Sequence, residues 1–335
     1  MRIIKSLNSL FPGPVLIIGA SNLALYLGAK LTAAGADVTF IGTQSASPAA
    51  HNCYLTVEEC DGPRILKTNL KWAPELPQEI SPALVLCCIE EEPELWARKL
   101  TAMLKPRTLV ISIQSDILIT KQIAFLAPSL DIVSAMAPFF VTSQRDGHLL
   151  RGSDRQIECQ ASPQIEPWLE PFNFAMLPLT LRSNMQNVLW GNLLFQLHEA
   201  IGIFSTLPGH QKFSQTDFRT CLADLMDEAH EIMASAGIEP SASPFSPMLI
   251  SFALRLPDQL FKVLSGPLES SFQPTPLEAD KAAFGLRNCN HVTALAQRQR
   301  VPAPKTKLLT KLIEARLKFK ENITIGQVQK ALSQC

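Results

Sequence analysis

The sequence has no excess of either charge. In 335 residues, 30 Lys and Arg stand against 30 Asp and Glu, giving a formal net charge of zero. A nucleic-acid groove or an anionic membrane surface calls for a positive surplus, so neither is expected as a partner. No apolar run approaches the roughly 20 residues of a transmembrane helix. The opening stretch MRIIKSLNSLFPGP has too short an apolar segment for a signal peptide. Cys53, Cys60, Cys87, Cys88, Cys159, Cys221, Cys289 and Cys335 include no CxxC pair, and no His sits at zinc-ligand spacing from them. Neither a metal site nor a disulfide framework is therefore expected. Cys87 and Cys88 lie inside an apolar stretch and read as core. Free thiols suit a reducing compartment, and a cytoplasmic location is the expectation. There is no internal repeat. His51, His148, His210, His230 and His291 have no Asp or Ser partner at a recognisable spacing.

What is present is an alternating pattern. Apolar residues make up 47% and charged ones 18%, enough for a large core in two domains. The stretch Val15 to Gly42 reads strand, tight turn, helix, strand. Val15, Leu16, Ile17 and Ile18 run into Gly19. Leu23, Leu27, Ala29 and Leu31 follow at helical spacing, Gly35 ends the helix, and Val38, Phe40 and Ile41 begin a second buried strand. This is the βαβ unit that binds a dinucleotide at a helix N-terminus. The fingerprint G-x-G-x-x-G is altered to Gly19, Ser21 and Ala24. Gly19 supplies the turn, and a methyl is accepted at Ala24. Ser21 stands where backbone approaches the pyrophosphate, so the loop is either a reshaped phosphate site or a retained scaffold. Its cofactor-binding candidates are Gly19, Ala20, Ser21, Asn22 and Leu23. After the second strand there is no acidic or basic residue to select between NAD and NADP. Thr43 and Ser45 could hydrogen-bond a phosphate, which leans to NADP.

The α/β rhythm continues with strands at Ala83 to Ile89 and Thr108 to Ile113, and helices at Pro93 to Leu104 and Asp116 to Leu126. A β-rich stretch follows, with AMAPFFVTS and the hairpin-like QRDGHLLRGSDRQIECQ. From Asn187 the signals are helical: NVLWGNLLFQLHEAIGIF, DFRTCLADLMDEAHEIMASAG, LISFALRLPDQLFKVL, NHVTALAQRQR and KTKLLTKLIEARLKF. In the last of these, Leu308, Leu309, Leu312, Ile313 and Leu317 form the inward face. The tail ITIGQVQKALSQC reads as an added helix. The run from Gly266 to Pro276 reads as a loop, and the longer segment to Arg287 as a lid, a partner site or a merely disordered loop. The expected organisation is α/β: a Rossmann-type dinucleotide-binding domain over residues 1–180, then an all-helical domain over 181–335 for substrate and dimerisation. The cleft between them is the expected site.

Such a pairing narrows the families, and the chain resembles ketopantoate reductase (2-dehydropantoate 2-reductase) along nearly its whole length. The resemblance rests on GASNLA, LVISIQSD, GSDRQIEC, NVLWGNLLFQ, LMDEAHEIMASAGI, PMLISFALRLPDQL and VPAPKTKLLTKLIEA. It implies a fold of the 6-phosphogluconate-dehydrogenase type, an NADP cofactor, a small-molecule substrate in the cleft and a homodimer. In the family, hydride passes to the ketone of ketopantoate, a lysine acts as general acid, and asparagines, a serine and a glutamate hold the substrate. This chain departs from that set. The lysine position is Asn192, which cannot give up a proton near neutral pH. The asparagine positions are Gln196 and Ala200. The Asn-Gly pair is Ser115 and Asp116, the serine is Pro247, and the glutamate is Gln259 beside Asp258. The nucleotide-domain lysine falls within Glu90, Glu91 and Glu92, and the arginine after the second strand is Thr43.

Trp190 and Leu193 keep the scaffold while the proton donor is gone, so standard ketopantoate reduction is not expected. Asn192, Gln196 and Glu199 share one helix face. A carboxylic acid raised by an apolar surrounding could then serve as acid at Glu199. His198 is about 100° round the helix, so the two are not expected to face the same way. The bland alternative is a solvated Glu199 and a partly buried His198. Three functions stay open: an NADP-dependent oxidoreductase acting on a 2-oxo acid or related carbonyl, an inactive nucleotide- or metabolite-binding homologue, and a protein-interaction scaffold.

Overall fold

The computed structural model describes residues 10–41, 54–60, 62–75, 81–89, 92–143, 147–207, 209–241, 246–269, 281–319 and 322–335. The chain divides into two compact units, Met1–Met185 and Gln186–Cys335.

The first unit is built on a twisted sheet. Strands β1 (Val15–Ile18), β2 (Val38–Ile41), β5 (Lys71–Ala73), β6 (Leu84–Cys87), β7 (Leu109–Ile113), β8 (Asp131–Met136), β11 (Ile157–Gln160) and β12 (Leu179–Arg182) lie in the order β12-β11-β8-β7-β6-β1-β2-β5. Neighbours are parallel except for the antiparallel pair β8 and β11. The central strands are apolar without alternation because helices cover both faces. Val15 and Ile17 face one core with helix α1 (Asn22–Ala33). Leu16 and Ile18 face the other with helices α2 (Pro93–Met103) and α3 (Ile119–Leu126). Helix α4 (Glu166–Phe174) packs its Trp168 and Phe172 into the first core.

A second sheet was not legible in the sequence. Strands β3 (Tyr54–Glu59), β4 (Gly62–Asn69), β9 (Val141–Ser143) and β10 (His148–Arg151) lie in the order β4-β3-β10-β9. The stretch read as one polar hairpin is therefore split. Strand β10 pairs antiparallel with β9, as a hairpin does, but β11 joins the larger sheet beside β8. The second sheet covers the outer side of α1. That explains why α1 is apolar nearly all round, with Ala24 to Leu31 buried in one continuous run. Gly28 permits the close approach: a Cβ there would meet the Phe40 ring at 2.3 Å.

The second unit is helical among the described residues: α5 (Met185–Gly202), α6 (Thr216–Ser235), α7 (Pro247–Leu254), α8 (Asp258–Glu269), α9 (Lys281–Gln299), α10 (Pro304–Phe319) and α11 (Ile325–Leu332). Helix α6 lies at the centre, touching α7, α9, α10 and α11. Its Glu228 carboxylate accepts from Lys305 N and Thr306 N, both at 2.8 Å, and so caps α10 behind Pro304. The segment LISFALRLPDQLFKVL is two helices, broken at Arg255 to Pro257 because proline cannot continue α7. On α10, Leu309 and Ile313 are buried as expected, but Leu317 is 54% exposed. Of the expected loop after Gly266, residues 266–269 and 281–287 are helical, and residues 270–280 lie outside the described residues. No described helix is long and apolar enough to cross a membrane.

Candidate functional site

The loop after β1 forms the turn that its glycine predicts. Gly19 has φ +110°, and a Cβ there would meet the carbonyl oxygen of Cys88 at 2.3 Å, so only glycine fits. Ser21 is the N-cap of α1. Its backbone is extended and its hydroxyl accepts from Ala24 N at 3.3 Å. The intrahelical ladder begins with Leu25 N on Ser21 O, so the amides of Asn22 and Leu23 precede it, at the positive end of the helix. Ala20 is buried, while Ser21, Asn22 and Leu23 are half-buried. The open question at Ser21 has a local answer: its side chain folds back onto its own helix.

Neighbouring strand ends complete this edge of the sheet. Gln114, after β7, donates through Nε2 to Cys87 O at 3.1 Å. Ser115 is exposed. Asp116 is 9% exposed and its Oδ1 accepts from Leu118 N at 2.7 Å, so α3 starts at Ile119 rather than at Asp116. Burial pushes the Cys87 thiol up to about 12, so it is an inert core group. Glu92 holds a left-handed backbone, φ +54°, immediately before Pro93. Thr43, Ser45, His51, Cys53, Glu90 and Glu91 lie outside the described residues.

A buried polar cluster behind this loop went unread in the sequence. Lys30 Nζ donates to Glu59 Oε1 at 2.5 Å, and Tyr26 OH reaches the same carboxylate at 3.1 Å. Arg151 Nη1 lies 3.3 Å from Glu59 Oε2 and stands over the Phe139 ring at 4.3 Å. All four polar side chains are at least nine-tenths buried. Burial drives the Tyr26 phenol upward from its ordinary range. The cluster ties α1 to β3 and β10, and so fixes the direction in which the helix N-terminus points. Its sequence signal was Tyr26 and Lys30, one turn apart on an otherwise apolar helix.

In the second unit the family positions fall on and around α5. Asn192 and Gln196 are half-buried on one face. Gln196 Oε1 accepts from Asn288 Nδ2 at 3.4 Å, across to α9. Ala200 is fully buried, and a Cβ on Gly285 would come within 2.5 Å of Ala200 Cα. The two helices therefore cross backbone to backbone where the family carries an asparagine. Next to Asn192, a Cβ on Gly191 would meet Ser241 O at 2.0 Å, so that glycine seats the chain leaving α6.

Glu199 is 2% and His198 7% exposed. The two do meet, contrary to the angular expectation: His198 Nε2 lies 3.5 Å from Glu199 Oε1. Long side chains close the gap that the backbone angle leaves open. His198 Nδ1 lies 2.6 Å from Phe195 O, and a carbonyl only accepts, so Nδ1 carries a hydrogen. One further proton can then lie between Nε2 and the carboxylate.

Pro247 is buried and Gln259 exposed. The turn bearing Gln259 is held by Arg219, itself 1% exposed. Arg219 donates to Phe213 O at 2.8 Å, Leu254 O at 3.2 Å, Leu256 O at 3.3 Å and Asp258 Oδ1 at 2.6 Å. Hydrogen bonds from Arg219 and Thr216 hold the Asp258 carboxyl below its ordinary range. Among the described residues no group of three or more His, Cys, Asp or Glu could hold a metal.

A glycine turn at the end of the first strand, a capped helix above it and a parallel sheet with both faces covered define a Rossmann-type fold joined to a helical unit. Residues 15–164 match the family described as Ketopantoate reductase PanE/ApbA. No curated protein matches it at a significant level. Among solved structures it is similar to a PanE/ApbA family ketopantoate reductase from Ralstonia eutropha JMP134. That pair is 17% identical with TM-score 0.71, covering 96% of this chain and 99% of the other. The dimeric ketopantoate reductase from Staphylococcus aureus is 15% identical with TM-score 0.65, covering 92% and 100%. A D-mandelate dehydrogenase in a ternary structure with NADH and anilino(oxo)acetate is 13% identical with TM-score 0.68, covering 95% and 99%.

Proposed function

We propose that this chain is a dinucleotide-dependent oxidoreductase of the ketopantoate reductase family that reduces a 2-oxo acid or related carbonyl other than ketopantoate. The observation that carries the reading is the return of Ser21 Oγ to Ala24 N, which keeps a side chain at the second fingerprint position off the phosphate approach. The loop fits a dinucleotide on that ground. The amides of Asn22 and Leu23 would hold its pyrophosphate and Ser115 would stand at the neighbouring strand end. Thr43 would take the 2′-phosphate of NADP. When bound, the reduced nicotinamide supplies a hydride.

Carbonyl reduction also consumes one proton at oxygen, and Asn192 cannot give it. The proposed donor is Glu199, with His198 as its partner. The fixed Nδ1–H of His198 leaves Nε2 to share a proton with the carboxylate, and Glu199 lies on the helix face of Asn192 and Gln196. Loss of the family asparagine to the crossing at Ala200 supports a substrate unlike ketopantoate.

Titration with NADPH, and NADH alongside, tests the first half. Micromolar binding is expected, and no binding of either at millimolar concentration overturns the reading. Turnover against a panel of 2-oxo acids, ketopantoate included, tests the second. Glu199→Gln is expected to keep dinucleotide binding and abolish turnover. A second reading, a binding protein without chemistry, is favoured by the engagement of Gln196 with Asn288 on the same face. It predicts dinucleotide binding with no turnover on any member of the panel.

A further inference from the structure

Lys212 is a buried cation with no part yet in the chemistry of α5. It is 8% exposed and sits on the short 3-10 helix Gly209–Ser214. Its ammonium rests on α5 at Gly202, where an added Cβ would meet Lys212 Nζ at 2.6 Å. That place is specific. Helix positions turn by about 100° per residue, so Gly202 points roughly midway between His198 and Glu199, one turn further on. Positions three and four apart are surface neighbours, about 5–6 Å between their β-carbons, so the ammonium borders both side chains. His198 Nε2 and Glu199 Oε1 are themselves 3.5 Å apart.

The same short helix also walls the spot. Phe213 is 2% exposed and stacks on the His198 ring, with centroids 6.2 Å apart and planes at 29°. Its carbonyl accepts from Arg219 at 2.8 Å, which anchors the short helix to α6. Arg219 is otherwise engaged by Leu254 O, Leu256 O and Asp258. Arg316 of α10 stands over the Phe204 ring at 5.6 Å and donates to Ile323 O at 3.0 Å. Helix α9 meets this part of α5 with Gly285 at Ala200 and with the neutral Asn288 at Gln196. Lys212, His198 and Glu199 thus share one buried spot, where charges act on each other with little screening. A buried ammonium persists when an anion balances it, and the carboxylate that α5 brings there is that of Glu199.

We propose that Lys212 is the positioning residue of this pair: its ammonium balances the Glu199 carboxylate and governs the release of the proton that His198 and Glu199 share. It restores, from a neighbouring element, the positive charge that Asn192 does not carry. The inference rests on the redox reading for its chemistry but not for its electrostatics. Once hydride has reached the carbonyl carbon, the substrate oxygen is negative. The shared proton passes to that oxygen, forming an O–H bond and leaving the His198–Glu199 pair one proton short. The Glu199 carboxylate left behind faces the Lys212 ammonium, and a proton from water restores the pair. A neighbouring cation disfavours a further positive charge, so Lys212 makes the pair a readier donor.

NMR of the full chain, isotope-labelled at the histidine ring carbons and titrated with pH without dinucleotide, tests the electrostatics. The His198 signal is the one lost in His198→Gln. In Lys212→Met it should stay protonated to a pH about one unit or more higher than in the natural sequence. Lys212→Arg keeps the charge and should return the titration toward its natural position. Gly202→Ala makes the same test without altering a charged residue. Its methyl pushes the ammonium aside, alanine suits a helix, and the His198 titration should move in the same direction. Turnover tests the chemistry: Lys212→Met should lower kcat by about tenfold or more while NADPH binding is unchanged. A His198 titration that moves, in a protein that reduces no member of the 2-oxo acid panel, supports the assignment of Lys212 and overturns the redox reading. A His198 titration unchanged in Lys212→Met, or in Gly202→Ala where the first variant does not fold, overturns the assignment.

Discussion

Helices α1 and α5 both carry polar side chains into the interior, and they dispose of them in opposite ways. On α1, Tyr26 and Lys30 look away from the loop at its N-terminus and are satisfied by Glu59 and Arg151, which come from strands far along the chain. The end of the helix that would meet a ligand carries its Ser21 cap. On α5, His198 lies against Glu199 and the Phe195 carbonyl, and Gln196 accepts from Asn288. Of these, Gln196 and Glu199 lie on the helix face that the family resemblance assigns to substrate. In the first unit the buried charge holds the scaffold and the candidate site is separate from it. In the second, packing and candidate chemistry occupy the same face. The first unit thus keeps its helix N-terminus clear of its buried charge, while the second packs polar groups of α5 against their neighbours.

The sharpest way to break this comparison is to remove the buried charge from each unit. Glu59→Ala leaves Lys30 and Arg151 buried without their carboxylate, and a loss of about 3–5 kcal/mol is expected in urea unfolding followed by circular dichroism. Arg219→Ala leaves an opening beside the exposed Asp258 through which water can reach the three carbonyls, and a loss of about 1–3 kcal/mol in all is expected. Its exposed partner Asp258 adds little, so a smaller effect than at Glu59 is expected. The reverse order would mean that the second unit, not the first, depends on its buried charge.

Next comes the crossing of α5 and α9. Ala200→Asn restores the amide of the family pattern but forces atoms into a backbone contact with Gly285. The expected cost is about 1–3 kcal/mol, read by thermal melting. No loss of stability would show that the crossing is loose enough to admit the original side chain.

Alkaline titration separates the two units by a different route. Burial raises Tyr26 in the folded state and pushes Cys159, Cys221 and Cys289 to about 12. A group with a raised folded value binds its proton more tightly when folded. Its contribution is complete below the unfolded value and is lost as pH rises through the folded one. Stability should thus fall above roughly pH 9, where free thiols begin to ionise in the unfolded chain. Tyr26→Phe should flatten the upper part of that decline for the first unit and leave the second unchanged. A decline identical in the variant would place the titration elsewhere.

The smallest expected effect is at the cap. Ser21→Ala should cost about 1 kcal/mol of stability and Ser21→Gly only a few tenths. Ser21→Gly also restores the second glycine of the fingerprint. NADPH affinity should then be unchanged or higher. A fall in affinity would mean that the Ser21 hydroxyl serves the phosphates after all.

The βαβ unit, Gly19 at its turn, Gly35 at the helix end and the helical second half were all readable in the chain itself. They depend on spacing and on backbone conformations that neighbours a few residues apart dictate. The same is true of the replaced positions Asn192, Gln196 and Gln259, whose identities are printed in the sequence. What tertiary structure alone decided was how those residues are used. The four-stranded second sheet draws β3 beside β10, some ninety residues later. The Glu59–Arg151 contact spans the same separation, and that of Gln196 with Asn288 spans as much. Short-range periodicity holds no record of such pairings. Even His198 and Glu199, adjacent in the chain, were separated by backbone geometry and brought together by the reach of their side chains. The sequence determined which elements form; the packing between distant elements decided which faces stay open to chemistry.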